Sequence, residues 1–484
     1  MSRTQIIFMV IAVYMIILLI LGYVTSKRVK NTSDFLSAGR SLNIIMTTCT
    51  LVAVQIGAGV VLGGSSMAAG YGIWPGMWYG IGCGGGLILA GIFVAKRLKS
   101  SSSYVPLDFY EERYGNKNNR QIRLWNWFCN VPGQIGIFTS QLIACGALLS
   151  GFGYDYKMSV LVCAVIILIY ASLSGMLGVA TADSFQVAII IIGIPICALA
   201  VLKGVLSGNI SSLGHLMATP FIPQGMGTKA VFIIVPFLFS ISVSYDAFMR
   251  YQTAKDANTA AKGCIFSGII VILISFLVGI IGAGGILLYP DIAPNAIFST
   301  VVINNLSPVF SGIVIAAVLA AAMSSGSCML MGMSACFSRD LYNKFMNPDK
   351  ELDELPYSNI IARVSVIAGT AIGVLIAFNL TEILDTIILF TNPGMGSLLI
   401  PLLGGALWAG GNRKGAEAAM ITGGIIGTIS FIFGIPSPWK GLINVDLGLA
   451  TAYIVSAVVY VLVSKKYQND PELIKEIENV NYKF

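Results

Sequence analysis

Two short stretches of this sequence combine oxygen donors with residues that loosen a helix. Ala53-Val-Gln-Ile-Gly-Ala-Gly59 sets an amide side chain, Gln55, beside two glycines in an otherwise apolar run. Gly57 and Gly59 make local unwinding inexpensive, and an unwound turn frees backbone carbonyls, hard oxygen ligands suited to a small cation. The other reading is a glycine-packed helix crossing with Gln55 as interhelical glue. The second stretch, Ala316 to Met331, crowds Ser324, Ser325 and Ser327 together, with Ala321 one turn earlier offering a carbonyl on the same face. Hydroxyls so placed can ligate a dehydrated ion; they can equally bond back onto their own helix.

The remaining ionisable residues are few. Asp183, in Thr181-Ala-Asp-Ser-Phe-Gln186, reads either as a first-turn acid complementing a helix dipole or as an ion ligand at membrane depth. Asp246 and Arg250 stand four apart and are expected to clamp each other. Glu382 and Asp385 fall at a helix end and read as solvated. His215 is the sole histidine and no nucleophile–base pair stands out, so no enzyme is expected. All nine cysteines lie in apolar segments without a CxxC pair or a cluster of acidic or histidine ligands, which predicts free thiols and no bound metal or other cofactor.

The elements that must hold these residues are membrane helices. The chain of 484 residues is 56% hydrophobic and only 11% charged, against about 25% charged in a soluble domain. Lipid offers no hydrogen-bond partners, and long unbroken apolar runs exclude the alternation of a barrel, so the fold class is all-α. Polar and Pro/Gly-rich punctuation predicts thirteen spans: 5–25, 42–71, 75–95, 125–152, 158–178, 180–203, 229–250, 263–289, 308–338, 358–380, 383–408, 416–435 and 445–464. The first run lacks a cleavage site and is expected to be retained. Gly82, Gly86 and Ala90 at small-xxx-small spacing predict a close helix crossing. If the N-terminus lies outside, 24 of the 29 basic residues fall in inward segments and the C-terminus is cytoplasmic, the pattern of the positive-inside rule in a plasma membrane. The net charge of +7 is therefore topology and no nucleic-acid patch. The tail 465–484 is too short for a signalling domain, so the chain reads as one membrane domain.

Four strings in order resemble the sodium/solute symporter family over nearly the whole chain. Lys27-Arg-Val-Lys-Asn-Thr-Ser-Asp-Phe-Leu-Ser-Ala-Gly-Arg40 is similar to the first-loop signature of that family, and Ser174 to Gln186 to its next conserved segment. Arg250 to Lys255 and Ala321 to Tyr342 match two more. The resemblance implies the leucine-transporter-type fold: inverted five-helix repeats over 42–203 and 229–408, an extra helix 5–25 before them, and two more in 416–464 after them. It maps the main sodium site to the carbonyls of Ala53, Ile56 and Ala321 and the hydroxyls of Ser324 and Ser325. A second sodium site of some members would use Asp183, Ser324, Ser327 and the next position, here Cys328, a poor sodium ligand; one ion is favoured.

Gly70-Tyr-Gly-Ile-Trp-Pro-Gly and Phe93 to Lys99 look most like the high-affinity choline transporter branch, yet two of its cage tryptophans align with Gln55 and Ser244. Gln55, Gly59, Ser244 and Tyr245 are thus expected to meet a solute that hydrogen-bonds, an amino acid or small carboxylate. The expectation is sodium-coupled symport by alternating access, with sodium, the solute and the bilayer as partners and a monomer as the unit. Alternatives are proton-coupled symport of a quaternary amine or sugar, or a non-transporting membrane sensor or ion-leak channel.

Overall fold

The computed structural model describes residues 2–27, 38–99, 103–115, 120–151, 153–208, 214, 218–380, 382–435 and 441–473, with nothing on the side chains of 170 and 172–175. His215 and most of the Lys27–Arg40 string lie outside the described residues. Apart from an isolated bridge between Leu42 and Ala254, the regular structure among them is helical, as backbone groups in hydrocarbon require. The helices are α1 Arg3–Ser26, α2 Ile44–Gln55, α3 Gly59–Tyr71, α4 Ile73–Lys99, α5 Pro106–Tyr114, α6 Arg120–Ser150, α7 Tyr156–Gly208 and α8 Gly227–Ser240. They continue as α9 Tyr245–Thr253, α10 Ala257–Leu288, α11 Ile297–Asn305, α12 Pro308–Met346, α13 Ser358–Ala377, α14 Ile383–Leu407, α15 Arg413–Gly434 and α16 Val445–Lys466. Starts are set by side-chain caps: Asn43 accepts from the Met46 N–H at 2.9 Å, Asp256 from Thr259 at 2.7 Å and Asn412 from Gly415 at 3.0 Å.

Among the described residues eleven helices are long and apolar enough to span a bilayer, and the pair α2/α3, bent by 55°, makes a twelfth. The thirteenth expected span differs in form. Residues 158–178 and 180–203 are not parted by a loop but lie in one run of helical backbone, α7, of 53 residues. A straight rod of that length would measure about 80 Å, against about 30 Å of hydrocarbon. Yet both of its ends lie by the nine-residue α11: Gly151, just before α7, approaches Ser299, and Gly204 approaches Asn305. The segment therefore doubles back and crosses twice.

Two helices are broken within the buried core. α2 ends at Gln55, and Ile56 leaves the helix with φ −84° and ψ 69° before α3 resumes. α8 ends at Ser240 and α9 begins at Tyr245, Ser244 between them being extended. Each break opens one of the two expected repeats. α4 holds the neighbouring helices close through glycines: a Cβ at Gly86 would lie 2.4 Å from the Phe237 carbonyl of α8, and one at Gly84 would lie 2.6 Å from the Gly268 carbonyl of α10. The crossing expected at Gly82 and Gly86 is thus with α8.

Candidate functional site

At the first break, the side chains that face the unwound turn come from α6 and α12. Gln141 of α6 accepts a hydrogen bond from the Ala58 N–H at 2.9 Å, satisfying a donor that the broken helix leaves unpaired. Ser325 of α12 donates to the Val54 carbonyl at 2.8 Å, and its Oγ lies 3.4 Å from the Ala53 carbonyl oxygen. A Cβ at Gly57 would sit 2.6 Å from Ser325 Oγ and 3.0 Å from Gln141 Oε1, so glycine is what allows the approach. Ala53, Ile56, Ala321, Ser324 and Ser325 are all buried. The structure thus brings the α2 turn and Ser325 into direct contact.

Ser324 turns the other way. Its hydroxyl donates to Asp183 Oδ1 at 2.5 Å, and Thr50 of α2 donates to Oδ2 at 2.5 Å. Asp183 is fully buried within the helical backbone of α7 and does not open a helix, so the dipole reading does not describe it. Its countercharge is Arg250, whose Nη2 is 3.3 Å from Oδ2, while Nε donates to the Thr50 carbonyl at 3.0 Å and Nη1 to Cys328 Sγ at 2.5 Å. Ser327 bonds back to the Ser324 carbonyl at 3.0 Å. Of the four positions considered for a second ion, Asp183 and Cys328 are therefore engaged by a guanidinium. The expected clamp is also redistributed: Arg250 carries its ion pair to Asp183, and Asp246 accepts from Gln55 Nε2 at 2.9 Å.

Beside the second break lies a cavity lined among others by Gln134, Ser240, Ser244, Tyr245, Asp246 and Thr391. Ser244 and Tyr245 line it; Gln55 reaches it only through Asp246, and Gly59 packs against Tyr79 and Ile387 outside it. Tyr245 donates to Asp340 and accepts from Asn126 Nδ2 at 2.7 Å.

Asp340 leads into a buried ion cluster. Arg123 at the start of α6 pairs with Asp340 at 2.6 Å, Asp108 at 2.7 Å and Glu111 at 2.8 Å. Arg339 adds a second cation 3.2 Å from Asp108. Burial alone would raise the Asp108 carboxyl, but Arg339 and Arg123 outweigh it and hold it well below the usual carboxylate range. Arg123, between the expected spans 75–95 and 125–152, reads in the sequence as a loop charge, and Gln141, Thr50, Asp108 and Asp340 carry no signal of their own there. Buried partners on separate helices, such as Thr50 with Asp183 or Arg123 with Asp340, leave no local periodicity to read. Asp385, expected to be solvated, pairs with Lys229 at 2.5 Å, half its side chain remaining exposed.

A model of the sodium:solute symporter family matches residues 35–423. The chain belongs to that family. A sodium/proline symporter of Staphylococcus aureus is 26% identical, over 95% of this chain and 92% of the relative. Among solved structures, a sodium-coupled sialic acid symporter in a substrate-bound outward-open state superposes with a TM-score of 0.73 at 17% identity, covering 94% of this chain and 98% of that one. A nucleobase-cation-symport-1 family transporter superposes at 0.57 and 14% identity, over 91% and 97%. This symporter therefore has the leucine-transporter-type fold, and its coupling ion is sodium. Among the described residues no cluster of His, Cys, Asp or Glu could hold a transition metal, and the hard oxygens around Ala53 and Ser325 are donors of the kind that sodium takes.

Proposed function

We propose that this symporter takes up a small polar organic solute, an amino acid or small carboxylate, with sodium by alternating access. Sodium is held between the carbonyls of Ala53, Ile56 and Ala321 and the hydroxyls of Ser325 and Ser324, the latter ligating through a lone pair while its hydrogen stays on Asp183. The solute occupies the cavity lined by Ser244 and Tyr245, with Gln55 at its margin and Gly59 keeping the α2/α3 turn slim. The observation that carries this reading is Ser325 bonded directly to the broken turn of α2, because an ion placed there ties two helices that must part when the site opens inward. Proline transport by the Staphylococcus aureus relative agrees with an amino-acid solute. The repeats run over 42–203 and 229–408, each opening on a broken helix, within a plasma membrane that leaves the N-terminus outside and the tail in the cytoplasm.

One sodium per solute is proposed, since Arg250 already neutralises Asp183. One ion moving through 100 mV yields about 2.3 kcal/mol and a tenfold gradient about 1.4, enough to concentrate a neutral solute on the order of several hundredfold. The test is Ser324→Ala with Ser325→Ala in reconstituted vesicles. The sodium concentration for half-maximal uptake should rise at least about tenfold with little loss of protein from the membrane. An unchanged sodium dependence removes the site, and uptake that persists when potassium replaces sodium at fixed pH removes sodium coupling.

A further inference from the structure

The cavity has a chemical bias that follows from where its hydrogens go. The Ser240 hydroxyl donates to the Pro236 carbonyl, Ser244 to Ile241 at 2.8 Å and Thr391 to Ile388 at 2.9 Å. Asn130 gives its amide hydrogens to the backbone and side-chain oxygens of Asn126 at 3.0 and 2.8 Å. Tyr245 gives its hydrogen to Asp340. What these groups leave for an occupant is lone pairs. Gln134, packed over Gly332, has a buried Oε1 with no hydrogen-bond partner.

Charge points the same way. Asp246 lines the cavity, is 9% exposed, and accepts only from the neutral Gln55, at 2.9 Å. Among the described residues it has no ion-pair partner, and Arg250, one turn along α9, carries its ion pair to Asp183 and a further bond to Cys328. A carboxylate beside a low-dielectric cavity, facing acceptors, calls for a cation that brings its own donors.

We infer that the solute carries a protonated amine with free N–H donors, and that Asp246 is the residue that selects it. This rests on the reading that the cavity holds the transported solute, and narrows it: a plain carboxylate would meet the like charge of Asp246 among hydroxyls whose hydrogens are already given elsewhere, with the Gln134 amide nitrogen and the first N–H groups of α9 as the donors that remain. A quaternary ammonium has no N–H to give and requires several aromatic faces, whereas among the described residues Tyr245 is the only aromatic one lining the cavity. A zwitterionic amino acid qualifies through its ammonium group.

The purified full-length protein, in sodium, is tested by thermal shift and by competition for uptake in proteoliposomes. Probes are matched pairs: L-proline against tetrahydrofuran-2-carboxylate, and L-alanine against L-lactate, extended to the other proteinogenic amino acids and their hydroxy acids, with pyrrolidine and choline added. The wild type should respond to one or more N–H-bearing amines and to none of the deaminated partners or choline. Asp246→Asn keeps an acceptor for Gln55 and should weaken the amine at least about tenfold. Its stabilisation by sodium without solute should stay within about twofold, and Asp246→Glu should retain the amine preference. Hydroxy acids acting as well as amino acids, no amine acting on the wild type, or Asp246→Asn shifting the sodium requirement while amine affinity is kept would each overturn the inference. A wild type insensitive to sodium would instead sink the symport reading itself.

Discussion

Ser325 can touch the Val54 carbonyl because Gly57 has no side chain, so the coupling of α12 to the α2 break depends on a single missing Cβ. Gly57→Ala puts a methyl 2.6 Å from Ser325 Oγ and 3.0 Å from Gln141 Oε1. It should raise the sodium requirement by an order of magnitude or more, in line with about 1–3 kcal/mol for overpacking. Gly70→Ala, where nothing lies within 4 Å, is the control and should transport normally; sodium titrations of both variants in vesicles decide. Cys328 supplies a further test. Cys328→Ser introduces a hard oxygen, but Arg250 still occupies Asp183, so reversal-potential measurements should give an unchanged sodium-to-solute ratio.

At the scale of elements, one arginine ties the basic end together. Arg123 of α6 joins α5 through Asp108 and Glu111, and α12 through Asp340, which in turn holds Tyr245 of α9 at the cavity. Arg123→Met would strand buried carboxylates, and a loss of about 3 kcal/mol or more of stability is expected in denaturation experiments in detergent. The pH dependence has a definite sign. Because the folded Asp108 carboxyl is held below its unfolded value, its contribution is fully present above about pH 4, the range of an unperturbed aspartate, and is lost as pH falls further toward the folded value. Thermal unfolding followed from neutral to acid pH should show that loss in the wild type and less of it in Asp108→Asn. Arg113, which the charge pattern alone also puts in a loop, is buried apart from this cluster and donates to the carbonyl of Gly405 at 3.0 Å.

Across the whole molecule, the two helix breaks meet through the Gln55–Asp246 bond, one of several polar contacts, with Ser325–Val54 and Arg250–Asp183, that join the halves of the chain. The proposed orientation is checked by labelling from each side of the membrane. The native cysteines are buried, Cys49 only partly, so background should be low. Lys465→Cys should react with an impermeant maleimide only in inside-out vesicles, and Asp291→Cys only in intact cells. Reversed labelling would overturn the topology.

The apolar runs and the distribution of basic residues are sufficient in themselves for an all-helical membrane protein with about thirteen spans, because the cost of burying backbone polar groups in lipid acts segment by segment. Gly57 and Gly59 likewise announce the α2/α3 break locally. The four strings point to the family, and the serines of α12 to oxygen chemistry. Only the tertiary structure decided which partner each polar group takes: Ser324 with Asp183, Ser325 with Val54, Arg250 with Asp183 and not with Asp246, Asp246 with Gln55. It also decided that α7 doubles back without a loop and that Gly59 lies outside the cavity. Pairings between residues on separate helices, here 67 to 271 positions apart, depend on how helices cross, and helix crossing is set by close packing across the whole core, which no local spacing encodes.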